Sequence, residues 1–299
     1  MTRAAAIFTP HRVPLRRRAD RFGAMAAALM ALAGCSGGAE TAMPAPAPMS
    51  PPGPVRIVSI NPCVDAILMQ VADHADIAGI SHYSHDPHAS SIPVALARRF
   101  VATSGTAEEV IALRPTLVIT GPHADPATIG ALRRLRVRVV QVGVPATIAE
   151  SNDQVRTIAA AIGRPARGAR LIARTLAARA LAAREPALSA LIWQGEGLVP
   201  GGATLADEML RASGFRNASA AYGLNQWDVL PLEQLVARPP RVLLAPGEAD
   251  REDRMLRHPV LMQLRRRIAV RAFSPRLLQC GGPTIIDALA RLRSVRAAL

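Results

Sequence analysis

Residues 55–71, VRIVSINPCVDAILMQV, decide the fold. The first six form an apolar run of strand length. Asn61-Pro62 breaks that run, and 64–71 then carries the apolar spacing of a helix. The succession recurs downstream: IAGI at 77–80, a helix over 107–113, TLVITG at 116–121, a helix over 128–135, and RVVQVG at 138–143. Buried strands that alternate with helices at this spacing predict a parallel sheet with covering helices, one α/β lobe over 55–147.

From 148 to 186 there is no strand-like run. Val155, Ile158, Ala159 and Ile162 lie on one helical face, and after a break at Gly163-Arg164-Pro165 the stripe continues through Leu171, Ile172, Leu176 and Ala180. This segment reads as a single long connecting helix. The alternation then resumes over 187–299 with ALIWQG (190–195), RVLLAPG (241–247), VRAFS (270–274) and a closing helix over 284–297. The expected fold class is α/β: two Rossmann-like lobes with parallel sheets, bridged by one long helix, with a ligand cleft between them.

The first 34 residues read differently. A basic segment ending at Arg16-Arg17-Arg18 and Arg21 is followed by small and apolar residues from Gly23 to Ala33, too short a run to span a bilayer. It closes on Leu32-Ala33-Gly34-Cys35, which resembles the lipobox of bacterial lipoproteins. The expectation is a cleaved signal over 1–34 and a lipid on Cys35, with several acyl chains giving stable attachment. Residues 35–54 then form a Pro- and Ala-rich tether. The arginine pair lacks the rest of a twin-arginine motif, so the general secretory route is expected, with the exported chain anchored to a membrane through its lipid. Ser36 leaves the destination membrane open.

Removing residues 1–34 takes away six Arg and one Asp and lowers the net charge from +14 to near +9. Nucleic acid is not the expected partner, because the arginines lie along amphipathic helices and aromatics make up only 3% of the chain, leaving few rings for bases to stack on. The chain has no lysine, which excludes a P-loop or a Schiff-base enzyme. It has no G-x-S-x-G or H-E-x-x-H, and Pro200 interrupts the Gly195 to Gly202 stretch where a dinucleotide loop would begin its helix. An enzyme acting through Cys63 is the weakest reading, and no resident cofactor is expected.

Ligands of open parallel sheets sit beyond the carboxyl ends of the strands. That rule selects Asn61 to Cys63, His82 to His85, Gly121 to His123, Trp193 and Gln194, and Leu277 to Gly281. Tyr83, Trp193 and Trp227 are conspicuous in a chain so poor in aromatics and suit a large flat ligand. Arg276 suits an anionic chelate. His82 and His85, with His88 and His123, are candidate ligands for a bare metal ion such as zinc or manganese. Lipidation of Cys35 leaves Cys63 and Cys280 at strand ends, one per lobe, with three readings open: a disulfide, soft ligands to a bound metal, or two isolated thiols.

The set RIVSINPCVDAILMQV, GTAEEVIALRPTLVITG (105–121), DVLPLEQLVARPPRVLLAPG (228–247) and CGGPTIIDALARL (280–292) resembles the periplasmic substrate-binding proteins of ABC importers for vitamin B12, iron-siderophores and haem. The resemblance covers about residues 55–297. It implies two lobes with little hinge closure, a metal chelate (a corrinoid, a ferric siderophore or haem) held between them, and delivery to a permease dimer in the inner membrane. It also implies that Glu108 and Glu233, each opening a helix, dock onto the two permease subunits, and that Tyr83 and Trp227 face the ligand. Cys280 and Gly121 depart from the polar or aromatic residues of the B12 pocket.

Overall fold

The computed structural model describes residues 55–181, 186–247, 259–264 and 266–299. The signal, Cys35 and the tether lie outside the described residues. Those from Val55 onward belong to one compact unit.

The first lobe holds β1 (Ile57–Ser59), β2 (Ile77–Ser81), β3 (Ala102–Thr103), β4 (Leu117–Thr120) and β5 (Arg138–Gln141), in the order β3-β2-β1-β4-β5 and parallel throughout. Its helices are α1 (Pro62–Val71), α2 (Val94–Ala97), α3 (Ala107–Ala112) and α4 (Pro126–Arg134). Local chemistry sets the first strand-to-helix turn. Asn61 Oδ1 accepts from the Cys63 and Val64 amides at 2.9 and 3.2 Å, and Pro62 occupies the first helical position, where its missing N–H costs nothing.

Two helices follow, α5 (Ile148–Ala161) and α6 (Pro165–Ala180). The expected single helix is corrected here. Gly163 takes φ +70°, Pro165 starts a new helix, and the chain turns back on itself. Both helices join the two cores. Ile148 packs in the second lobe while Val155, Ile158 and Ile162 pack in the first; α6 returns from Leu171 in the first to Ala178 in the second. The close approach depends on Gly168, where an added Cβ would stand 2.5 Å from that of Ala159.

The second lobe contains β6 (Leu188–Ile192), β7 (Leu198–Val199), α7 (Leu205–Ala212), β8 (Phe215–Asn217), β9 (Asp228–Val229), α8 (Leu232–Ala237), β10 (Val242–Ala245), α9 (Pro259–Leu264), β11 (Ala269–Ala272) and α10 (Thr284–Ala297). Its parallel sheet runs β11-β10-β6-β8, and β7 pairs antiparallel with β9 as a small separate ribbon. In each sheet the chain reverses its winding beside the first strand, between β1 and β4 and between β6 and β10. Those switch points mark where an α/β sheet leaves a crevice.

Candidate functional site

The predicted cleft exists as a cavity of about 600 Å³. The first lobe contributes Val144, Pro145 and Ala146, which follow β5 and lead into α5. The second contributes Gln194 after β6, Leu198 on β7, Thr204 capping α7, and Gln226 with Trp227 before β9. The loop from Pro275 through Gly281 closes the wall. Gly201 lets the β7 side come close: a Cβ there would meet the backbone of Asn225 and Gln226 at 2.4–2.6 Å. Trp227 is 40% exposed, so its ring is available at the rim. Trp193 is fully buried and belongs to the core beneath β7.

Cys63 and Cys280 are joined in a disulfide, 5.0 Å between Cα atoms and 217 residues apart in sequence. Of the three readings of this pair, the structure selects the bond, and a bonded sulfur offers no thiolate to a metal. Cys280 still lines the cavity, whereas Cys63 does not. The bond ties the start of α1 to the loop before α10. Beside it the Gly282 amide donates to Ser151 Oγ on α5 at 2.6 Å.

Polar contacts extend this tie. Arg276 donates from Nε to the Ser90 carbonyl at 2.8 Å and from a terminal nitrogen to that of Ile92 at 3.2 Å, and Ser91 Oγ donates back to the Arg276 carbonyl at 3.3 Å. Gln279 Nε2 donates to the His88 carbonyl at 2.6 Å. The Arg276 guanidinium is therefore engaged by the main chain of the other lobe and does not line the cavity.

The histidines do not converge. His82 Nδ1 bonds the Thr103 carbonyl at 3.2 Å and His85 Nε2 that of Ala97 at 3.1 Å, so each ring is turned to a different backbone acceptor. Among the described residues no three His, Cys, Asp or Glu side chains gather into a metal-binding group. The bare-ion reading of His82 and His85 is corrected on that ground. Tyr83 is 53% exposed and its ring lies on that of His82, with centroids 4.1 Å apart, outside the cavity lining.

Asp65 carries no local sequence signature beyond being the one acid in α1. It is fully buried, and its Oδ2 accepts from the Ser81 amide at 3.0 Å and from Ser84 Oγ at 2.6 Å. Burial pushes its carboxyl up to about 7 against the opposing pull of the hydrogen bonds from Ser59, Ser84 and Ser81. It holds the turn that bears Tyr83. Glu109 folds back on its own lobe, accepting from Thr103 Oγ1 at 2.9 Å and from the Ser104 amide, and these bonds hold its carboxyl below the usual range. Glu108 and Glu233 are both exposed in the first turns of α3 and α8.

Sequence reasoning missed Val144 to Ala146, Leu198, Ala203 to Ala206, Gln226 and Pro275. The rule that selected residues beyond strand ends applied to β5 as well and reaches the first three; the two-residue β7 offered no run to read.

Compared with protein families, residues 57–265 match the periplasmic binding protein family. The chain belongs to that family. Its members bind solutes and are not enzymes, and this periplasmic binding protein is one of them. Among solved structures it is similar to a periplasmic heme-binding protein, RhuT from Roseiflexus sp. RS-1, at 26% identity, with 81% of this chain and 97% of that chain covered and a TM-score of 0.66. It is also similar to the periplasmic heme-binding protein HutB of Vibrio cholerae, at 18% identity with 81% and 98% covered and a TM-score of 0.68. The periplasmic vitamin B12 binding protein BtuF of Vibrio cholerae aligns at 18% identity, with 81% and 96% covered and a TM-score of 0.63. The last two likenesses speak to the fold. No curated protein matches by sequence.

Proposed function

We propose that this binding protein is the membrane-tethered capture component of an ABC importer and that its cargo is a corrinoid, a cobalt chelate with an amide periphery. The supporting observation is the chemistry of the cavity wall. Its described lining offers the Gln226 amide, the side-chain oxygens of Gln194 and Gln279, whose amide nitrogens already donate to the Trp193 and His88 carbonyls, the Trp227 ring and aliphatic surface, with no ionisable side chain. The Thr204 hydroxyl is engaged by the Gly201 carbonyl and the Asp207 amide. Haem iron is held by His, Cys, Met or Tyr, and none of these stands in the lining with a free donor atom. An anionic ferric siderophore calls for a cation, and Arg276 is occupied by the carbonyls of Ser90 and Ile92. A chelate whose axial positions are already filled needs only stacking and amide hydrogen bonds.

The likeness to a heme-binding protein at 26% identity supports haem as the competing cargo. Absorbance and fluorescence titration of the purified protein with cobalamin, cobinamide, haem and ferric siderophores separates the two. Tight haem binding without corrinoid binding overturns the assignment. Glu108 and Glu233, outward-facing and at the positive ends of their helices, are the proposed contacts to the permease. Exchanging both for Arg should abolish uptake and leave ligand affinity intact. Cys35 is the proposed lipid carrier, checked by the mass of the mature N-terminal peptide.

A further inference from the structure

The first lobe is electrically polarised along its strands. Exposed acids stand at the carboxyl ends, with Glu108 and Glu109 opening α3 and Asp125 capping α4, while Asp73 and Asp76, just before β2 at the other end, are paired with Arg164 and Arg167. Its arginines stand at the other end. Ile57, Leu117 and Arg138 are partners across β1, β4 and β5, so Arg56, Arg114 and Arg138 share the amino-terminal edge of the sheet. Arg133 and Arg134 end α4 and Arg136 follows, on the turn that enters β5 from the same edge.

All six are exposed, and the ion pairs of the described residues involve none of them. Arg56 donates to the carbonyls of Leu113 and Arg114, and Arg138 to that of Ala161, so the face rests mainly on Arg114, Arg133, Arg134 and Arg136. Arg114 and Arg136 take φ of +50° and +60°, positions just past α3 and α4 where glycine is the unstrained residue. Arginine thus occupies a strained backbone position in both places. Leu135, between Arg134 and Arg136, is 57% exposed. Val55, the first of the described residues, stands at this same edge, immediately before Arg56 and β1.

We infer that this arginine-rich end of the first lobe is a docking face for an anionic phospholipid bilayer, with Leu135 entering the headgroup region. Basic side chains beside a partly exposed apolar residue match the requirements of interfacial binding. The face lies at the opposite end of the lobe from Glu108, so lipid contact and permease contact use different surfaces. The inference rests on the proposed tether for its orientation, because lipidation would hold this end near a membrane.

The test uses a lipid-free chain beginning at Ser36, which retains the whole compact unit, so a failure of the Cys35 reading, seen in the peptide mass, is distinct from a failure here. Flotation with vesicles of equimolar phosphatidylethanolamine and phosphatidylglycerol should capture the protein, and phosphatidylcholine vesicles should not. Raising the salt should release it. The triple variant Arg133→Gln, Arg134→Gln, Arg136→Gln should weaken capture roughly tenfold or more, with an unchanged melting temperature showing that the fold is kept. Equal capture by neutral vesicles overturns the proposal. So does an equal loss from Arg241→Gln, Arg266→Gln, Arg267→Gln in the second lobe, which would reduce the effect to bulk charge. Stronger retention by duplex DNA than by anionic vesicles overturns it as well.

Discussion

Replacing both Cys63 and Cys280 by Ser removes the covalent tie between the lobes while leaving Arg276 and Gln279 in place. The bond closes a loop of 217 residues. In the chain-entropy account, a loop of that length restricts the unfolded chain by about 5 kcal/mol at 25 °C, near the top of the range for single disulfides. For a body of this size, a loss of that order lowers Tm by roughly 10–15 °C. Circular dichroism follows both lobes, and fluorescence follows the second, where Trp193 is fully buried and Trp227 is 40% exposed. The wild-type protein treated with a dithiol should behave as the double variant does, and the double variant should be indifferent to the dithiol. A change under about 1 kcal/mol, with the wild type showing no free thiol when denatured, would refute the reasoning. The unfolded chain would then be held compact by something other than the bond.

Asp65 gives a pH signature. Its native carboxyl holds a proton up to about 7 whereas the unfolded chain releases it near 3.8, so the native state carries the extra proton between those values and stability falls as pH rises from about 4 to 7. The gap corresponds to about 4 kcal/mol, and Asp65→Asn, which keeps an acceptor for Ser81 and Ser84, should flatten the urea-unfolding profile and gain most over wild type at pH 8. An unchanged slope would place the titration elsewhere. Trp227→Ala should lower ligand affinity roughly tenfold while moving stability little, since the ring is at the rim; unaltered affinity in the titration would remove it from the site. Gly168→Leu should cost about 2 kcal/mol in chemical denaturation by forcing α5 and α6 apart, despite the better helix propensity of Leu.

The two lobes were legible because the strands within VRIVSI, TLVITG, ALIWQG and RVLLAPG are largely buried on both faces and so read as apolar runs. The bridge was half legible. Both helices present apolar residues to the cores, so the stripe runs through the break at Gly163, and periodicity does not record that the chain reverses there. The cysteines could be named but not joined, because a distance of 217 residues says nothing about proximity. Arg276, His82 and His85 were chosen for their chemistry and are bound by carbonyls of Ser90, Ile92, Thr103 and Ala97, groups that every residue possesses and no sequence pattern announces. Asp65 left only one trace, that it is the single acid in α1.

The disulfide stands next to the helical bridge, since Gly281 and Gly282 touch Ser151 just beyond Cys280. Mechanically the lobes are hung like a door on two knuckles instead of one. A single knuckle lets a door twist and sag; a second removes every rotation except the swing about the line through both. That swing must part Arg276 from the carbonyls of Ser90 and Ile92, Ser91 from the Arg276 carbonyl and Gln279 from that of His88, so four hydrogen bonds act as the latch.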